Sequence, residues 1–269
     1  MRRLARLFYL AVIAVISLYL LLPTLVVALA SVSPTAMLSF PPSGFSLEWY
    51  GNFLARDEFT ESFVISVLLA AFAALVSTGL AVVAATGLRR VRRRARQFVA
   101  GLALFPIILP TIVYGPALLL LSGSLGVTQS MWLTLLVIAG AHLVLSLPFA
   151  VQICFTSYDD LDPAMEEAAV IAGAGHGRVL RRIVVPLLIP GILASLMFAF
   201  LISFDEPVVS LFMSRHDVVT LPVRILTYMR FRPDPTIAAI STIMSLLALL
   251  AIIVVDRQIG LDRILGLRR

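Results

Sequence analysis

The chain has no lysine, a single cysteine, three histidines and few charges of either sign, and each shortage removes a class of chemistry. All 21 basic residues are arginine, so no side chain can cradle a nucleotide phosphate as a P-loop lysine does, or form a Schiff base with a carbonyl. Any ATP used in this protein's work must be hydrolysed on another subunit. Cys154 stands alone, which excludes an intrachain disulfide. His142, His176 and His216 are too far apart for zinc-type spacing, so no metal is expected.

What is present is apolar. Of 269 residues, 60% are hydrophobic and 13% charged, and the mean hydropathy of +1.03 places the chain in lipid. An isoelectric point near 10.2 and the run Arg89, Arg90, Arg92, Arg93, Arg94 and Arg96 raise the question of nucleic acid. Apolar runs bracket these arginines on both sides, where such residues hold a short loop in the cytoplasm against anionic headgroups, so lipid is the expected partner and nucleic acid is not.

A membrane-crossing helix needs about 20 apolar residues. Six stretches qualify: Leu7 to Ala30, Ser62 to Leu88, Phe98 to Leu121, Met131 to Ile153, Leu187 to Met213 and Thr236 to Val255. The expected fold is therefore all-α, a polytopic membrane protein of six transmembrane helices. Sixteen arginines fall on the side of the termini and five on the other, which predicts cytoplasmic N- and C-termini. The first run is longer than the roughly 7–15 residues of a secretory signal core and reads as an uncleaved anchor. In the loop after it, Phe45, Trp49, Tyr50 and Phe53 predict an interfacial helix with aromatics in the headgroup zone. Pro106, Pro110, Gly115 and Pro116 predict a bend in the third span, since each proline removes a hydrogen bond.

The segment between the fourth and fifth spans is polar enough to protrude. Asp162 can cap a helix starting at Pro163, with Glu166 and Glu167 near its positive end. Ala168, Ala169 and Ala172 allow close approach of another backbone, and Gly173, Gly175 and Gly177 predict a flexible turn. A second helix is expected from about Arg178 to Val185, ending where Pro186 starts the next span. These glycines are not a dinucleotide fingerprint, because they follow a helix and no βαβ pattern surrounds them. From helix signals alone, a surface helical hairpin explains the segment equally well.

Glu167, Ala168, Ala169, Gly173, Ile183 and Pro186, in this spacing and with Val185 in place of a common leucine, resemble the cytoplasmic loop of permease subunits of bacterial binding-protein-dependent ABC importers. The resemblance implies a type I ABC importer transmembrane-domain fold, a single domain over 1–269, with 154–186 as its cytoplasmic coupling loop. It further implies that Glu166, Glu167, Ala168, Ala169, Gly173, Ile183 and Pro186 couple the chain to an ATPase subunit dimer that carries the ATP and Mg. This chain then binds no cofactor and catalyses nothing. A second permease subunit, expected to be a different homologous chain, and an extracytoplasmic solute-binding protein complete the implied assembly in the bacterial plasma (inner) membrane.

Ser203 to Phe212, Thr220 to Ile225 and Asp234 to Ala238, with Phe45 to Tyr50, are similar to the spermidine and putrescine permease subgroup. Members that move polyamines often carry a carboxylate where this chain has Thr111, which leaves the solute open between a polyamine and a related small molecule. Asp205 and Glu206 form an acidic pair in an apolar stretch and are suspects for the substrate path, with Thr111 and Tyr114. A bond to Arg224 would give the pair a purely structural role. An ion-coupled secondary transporter is the alternative, with the same carboxylates as ion sites, although no paired inverted repeat supports it. A hydrolase trio of His142, Ser146 and Asp159 or Asp160 can be drawn, but a histidine one turn from a hydroxyl is more often satisfied structure.

Overall fold

The computed structural model describes residues 2–36, 40–88, 91, 93–231 and 234–259. Arg89, Arg90, Arg92, Arg232, Arg263, Arg268 and Arg269, which enter the charge asymmetry, lie outside them. Along the chain run α1 (Arg2–Ala30), α2 (Glu48–Ala55), α3 (Asp57–Leu88), α4 (Arg93–Ile108), α5 (Thr111–Ser124) and α6 (Met131–Asp159). Then follow α7 (Pro163–Ile171), α8 (His176–Val179), α9 (Val185–Phe204), α10 (Val208–Met213), α11 (Leu221–Phe231) and α12 (Thr236–Ile259). Among the described residues the only β pairing is the isolated bridge Arg215–Val218. Among the described residues five helices are long and apolar enough to cross a membrane, and α4 with α5, bent by 88°, make a sixth when taken as one broken span.

Two of the six expected rods are corrected. The third is not a kinked helix from Phe98 to Leu121 but two helices meeting at Leu109 and Pro110. The fifth does not continue to Met213. It stops at Phe204, and after Asp205, Glu206 and Pro207 the short α10 takes over. Pro207 and Pro110 each lack the N–H that would continue the ladder, which is why the chain breaks at these points.

The contacts divide the chain into two compact units, Met1–Thr60 with Ile225–Leu249 and Glu61–Arg224 with Leu250–Arg269. In the first, Trp49 and Phe53 of α2 are buried, so they do not anchor in headgroups as expected. The Trp49 indole donates to Ser33 O at 2.7 Å and the Tyr50 hydroxyl bonds Ser31 Oγ at 2.7 Å, pinning α2 to the end of α1. Phe45 alone of that aromatic set is widely exposed. Arg56 donates to the Tyr228 hydroxyl at 2.7 Å, and Tyr228 donates to Asp234 at 2.6 Å, while the other Asp234 oxygen receives the Thr236 N–H that opens α12. Burial, then the bond to Asp234, push the Tyr228 phenol above its usual range.

The second unit is organised around α6 packed along α9. Its seam uses small residues, because without a hydrophobic drive between helices in lipid, close backbone approach supplies the attraction. Gly191, Ala194, Ser195 and Ala199 are buried on α9, and Thr78 of α3 bonds Ser195 at 2.9 Å. A Cβ on Gly191 would collide with the Ser157 side chain of α6. Gly191→Ala is therefore expected to lower stability in detergent by about 1–3 kcal/mol, as overpacking does. Adding Ser157→Gly should recover part of that in a thermal unfolding assay; a double variant weaker than Gly191→Ala would contradict the contact.

Candidate functional site

The polar segment after α6 folds as its local signals dictate. The Asp162 side chain accepts the Ala164 N–H at 2.9 Å, and Pro163 occupies the first helical position of α7. At the other end Ala174 N–H reaches Ala169 O at 3.0 Å and Gly173 N–H reaches Val170 O at 2.9 Å, with Gly173 at φ +82°. That pair of bonds is a Schellman stop, which requires a left-handed residue at the position of Gly173. Gly175 and Gly177 have no such role: Gly175 precedes α8 and Gly177 lies within it, so only one glycine of the three makes the turn.

These two ends fix α7 with one face in and one out. Glu166 points inward, its Oε1 accepting from the Tyr158 hydroxyl at 3.1 Å, and Ala169 and Ala174 pack on a core of Val151, Cys154, Phe155 and Leu188. Glu166 also edges a cavity of about 320 Å³ with Thr86, Gly87 and His176. Glu167 and Ala168 face solvent, with Met165 and with Ile171, which is 86% exposed. The two glutamates expected to act together are thus divided: Glu166 seats the helix and Glu167 belongs to its open face.

The expected second helix is not a separate element. From His176 the chain runs through α8, a widened turn over Leu180–Val184 and α9 without interruption. Val185 N–H bonds Leu180 O, five residues back, in the turn before Pro186, whose missing N–H would otherwise break the ladder. Ile183 packs on the same core as Ala169, and Pro186 is exposed in the first turn of α9. Seven residues of the motif are therefore brought onto one small structure, four of them (Glu166, Ala169, Gly173, Ile183) holding it, Glu167 and Ala168 presenting it and Pro186 lying in the first turn of α9.

The suspected path residues lie at the two breaks. Thr111 is exposed as the first residue of α5. The Tyr114 hydroxyl donates to Pro106 O at 3.1 Å, across the bend. That carbonyl would receive the N–H of residue 110 in a continuous helix, and Pro110 has none, so Tyr114 satisfies an acceptor that proline orphaned. At the second break Asp205 is exposed, whereas Glu206 is 7% exposed and already engaged. Its two oxygens take the N–H groups of Val208, Val209 and Ser210 at 3.0–3.4 Å, which makes it the cap of α10. Arg224 donates to Ser62 Oγ at 3.3 Å, linking α11 to α3.

Sequence reasoning missed what joins these parts. His142, 1% exposed, places Nδ1 2.7 Å from Ser203 Oγ and Nε2 2.9 Å from Ser210 Oγ, so one ring spans the fifth-span break. Ser146 donates to His142 O and Ala199 O, which leaves no nucleophile for a hydrolase trio. Phe212 of α10 fits over Gly115 of α5, where a Cβ would enter its ring. Partners 61 and 68 residues away along the chain leave no local signal.

Residues 77–261, which include α7 and both breaks, match the family of binding-protein-dependent transport system inner membrane components. The chain belongs to this family. It is 33% identical over 216 residues to the spermidine/putrescine transport system permease protein PotC of Haemophilus influenzae, covering 80% of this chain and 82% of that protein. It is 30% identical over 205 residues to the putrescine transport system permease protein PotI of Escherichia coli K12, covering 75% and 73%. Its fold is similar to a chain in the crystal structure of a bacterial ABC transporter involved in the import of the acidic polysaccharide alginate, with a TM-score of 0.68 at 16% identity over 95% of this chain and 96% of that one. The protein is thus a multi-pass permease subunit of an ABC importer, and the ion-coupled transporter and membrane hydrolase are set aside.

In this permease, α7 is held by its ends. Asp162→Ala and Gly173→Ala should each cost about 1 kcal/mol locally, seen as faster hydrogen exchange over 163–171 with the spans unchanged; equal protection would contradict the capping.

Proposed function

We propose that this permease imports a polyamine or a related small cationic solute, driven by an ATPase subunit dimer that docks on the open face of α7. Exposure of Glu167, Ala168 and Ile171 on a helix whose other face is clamped by Glu166 and Ala169 carries the reading. An apolar side chain as open as Ile171 beside an acid fits a protein partner better than water. Because α8, the widened turn and α9 form one uninterrupted rod, a push on α7 has a stiff route into a span. ATP and Mg²⁺ reside on the partner.

The arginine bias supports cytoplasmic termini and a cytoplasmic α7, in the plasma membrane of a bacterium. A second permease, expected to be a homologous chain, would complete the path, and an extracytoplasmic binding protein would deliver the solute. A bacterial alginate ABC transporter of similar fold, with a TM-score of 0.64 at 13% identity, was crystallised in complex with an alginate pentasaccharide-bound periplasmic protein, which supports such a partner here.

The polyamine reading rests on the PotC and PotI relatives and on exposed Asp205 at the break, with Thr111 and Tyr114 at the other. Glu206 contributes by holding α10 and leaves its neighbour to meet the cation. Attraction at an exposed carboxylate is weak, which suits a conduit that must release its cargo.

Two outcomes test the two halves. Glu167→Lys should lower uptake about tenfold, equivalent to about 1.4 kcal/mol of coupling, in reconstituted transporter while the ATPase still hydrolyses; normal uptake with assembled subunits would refute the docking face. Asp205→Asn should reduce spermidine uptake about threefold, the scale of an exposed charge contact, with binding-protein affinity unchanged. Uptake and stimulated hydrolysis both at wild-type levels would remove Asp205 from the path.

A further inference from the structure

We propose that His142 is a positioning residue, which through Nε2 and Ser210 holds α10, and with it the break at Asp205, in register with the end of α9. The inference rests on the permease reading above.

Besides the bond to His142, three contacts act on α10, a helix of six residues that is too short to hold its own shape. Glu206 takes the N–H groups at its start. Phe212 sits over Gly115 on one side, and Met213 packs with Ile138 and Ala139 of α6 on another. These contacts are a flexible carboxylate and apolar surfaces, which permit sliding. Between them, the bond from Ser210 to His142 is directional, and it is fully buried. The same ring is tied through Nδ1 to Ser203, one residue before the end of α9. In the neutral ring one nitrogen donates and the other accepts, so one serine receives a hydrogen bond and the other gives one. The imidazole therefore measures the separation of the two half-helices and resists any change in it.

Loss of the ring need not unfold the protein, because a buried serine can turn back to the carbonyl one turn earlier, as Ser146 and Ser214 already do. The consequence is a looser α10, not an unfolded chain. The isosteres separate the two ring nitrogens: an asparagine amide overlays Nδ1 and keeps Ser203, and a glutamine amide overlays Nε2 and keeps Ser210.

The test uses the complete transporter with Cys154→Ser and spin labels at Leu136→Cys and Leu211→Cys, both on exposed faces of α6 and α10. The label-to-label distance distribution should be narrow with His142 and His142→Gln, and broadened with His142→Leu, His142→Asn and Ser210→Ala. Spermidine uptake should fall about threefold or more in the broadened set, the scale of an interhelical hydrogen bond in lipid, and stay near wild type in His142→Gln. Equal behaviour of the asparagine and glutamine variants, or an unchanged distribution in Ser210→Ala, would overturn the assignment; the second holds even if His142→Leu fails to assemble. The distance measurement uses no cargo, so a wild-type transporter that ignores spermidine would defeat the polyamine reading alone.

Discussion

A backbone N–H or carbonyl kept from water has to find a partner within the protein, and this chain interrupts its apolar helices twice, at Pro110 and after Phe204. The breaks persist because side chains replace what the ladder loses. Tyr114 supplies a donor to the carbonyl that Pro110 leaves empty, and Glu206 supplies acceptors to the first N–H groups of α10. His142 then ties both flanks of the second break to α6. Remove these substitutes and each break would expose unpaired groups costing several kcal/mol apiece, by the usual reckoning for lipid. The breaks are also where a straight bundle could not present Thr111 and Asp205.

The segment between α6 and α9 follows a different rule, that of a helix fixed at its ends and clamped on one face. Asp162 and Gly173 set its length, and Glu166, Ala169 and Ala174 set its rotation. What is left outward is a small surface of Glu167, Ala168, Met165 and Ile171. A residue pattern that looks uniform in the chain thus splits into a supporting set and a presenting set, and only the second is available to a partner.

Legibility followed the range of the interaction. The spans were readable from hydropathy alone, and α7 from Asp162, Pro163 and Gly173, because caps and stops act over a few residues. The bend at Pro110 was foreseeable, but its 88° angle was not, since it depends on Tyr114 reaching back to Pro106. The break after Phe204 leaves no hydropathy signal, because Asp205 and Glu206 look alike in the chain as charges in an apolar run and only the fold makes one of them a helix cap. Trp49 looked like an interface anchor, and only the fold brings Ser33 within reach of its indole. His142 and its serines, far apart in the chain, could not be paired by any periodicity.

The most direct measurement is labelling of Ile171→Cys, in a Cys154→Ser background, by a membrane-impermeant thiol reagent in vesicles of known orientation. If α7 receives work from an ATPase, the thiol reacts only in inside-out vesicles and is protected when the ATPase is bound. Reaction from the outer side, or from the inner side with no protection, would contradict the coupling on which the proposed function depends.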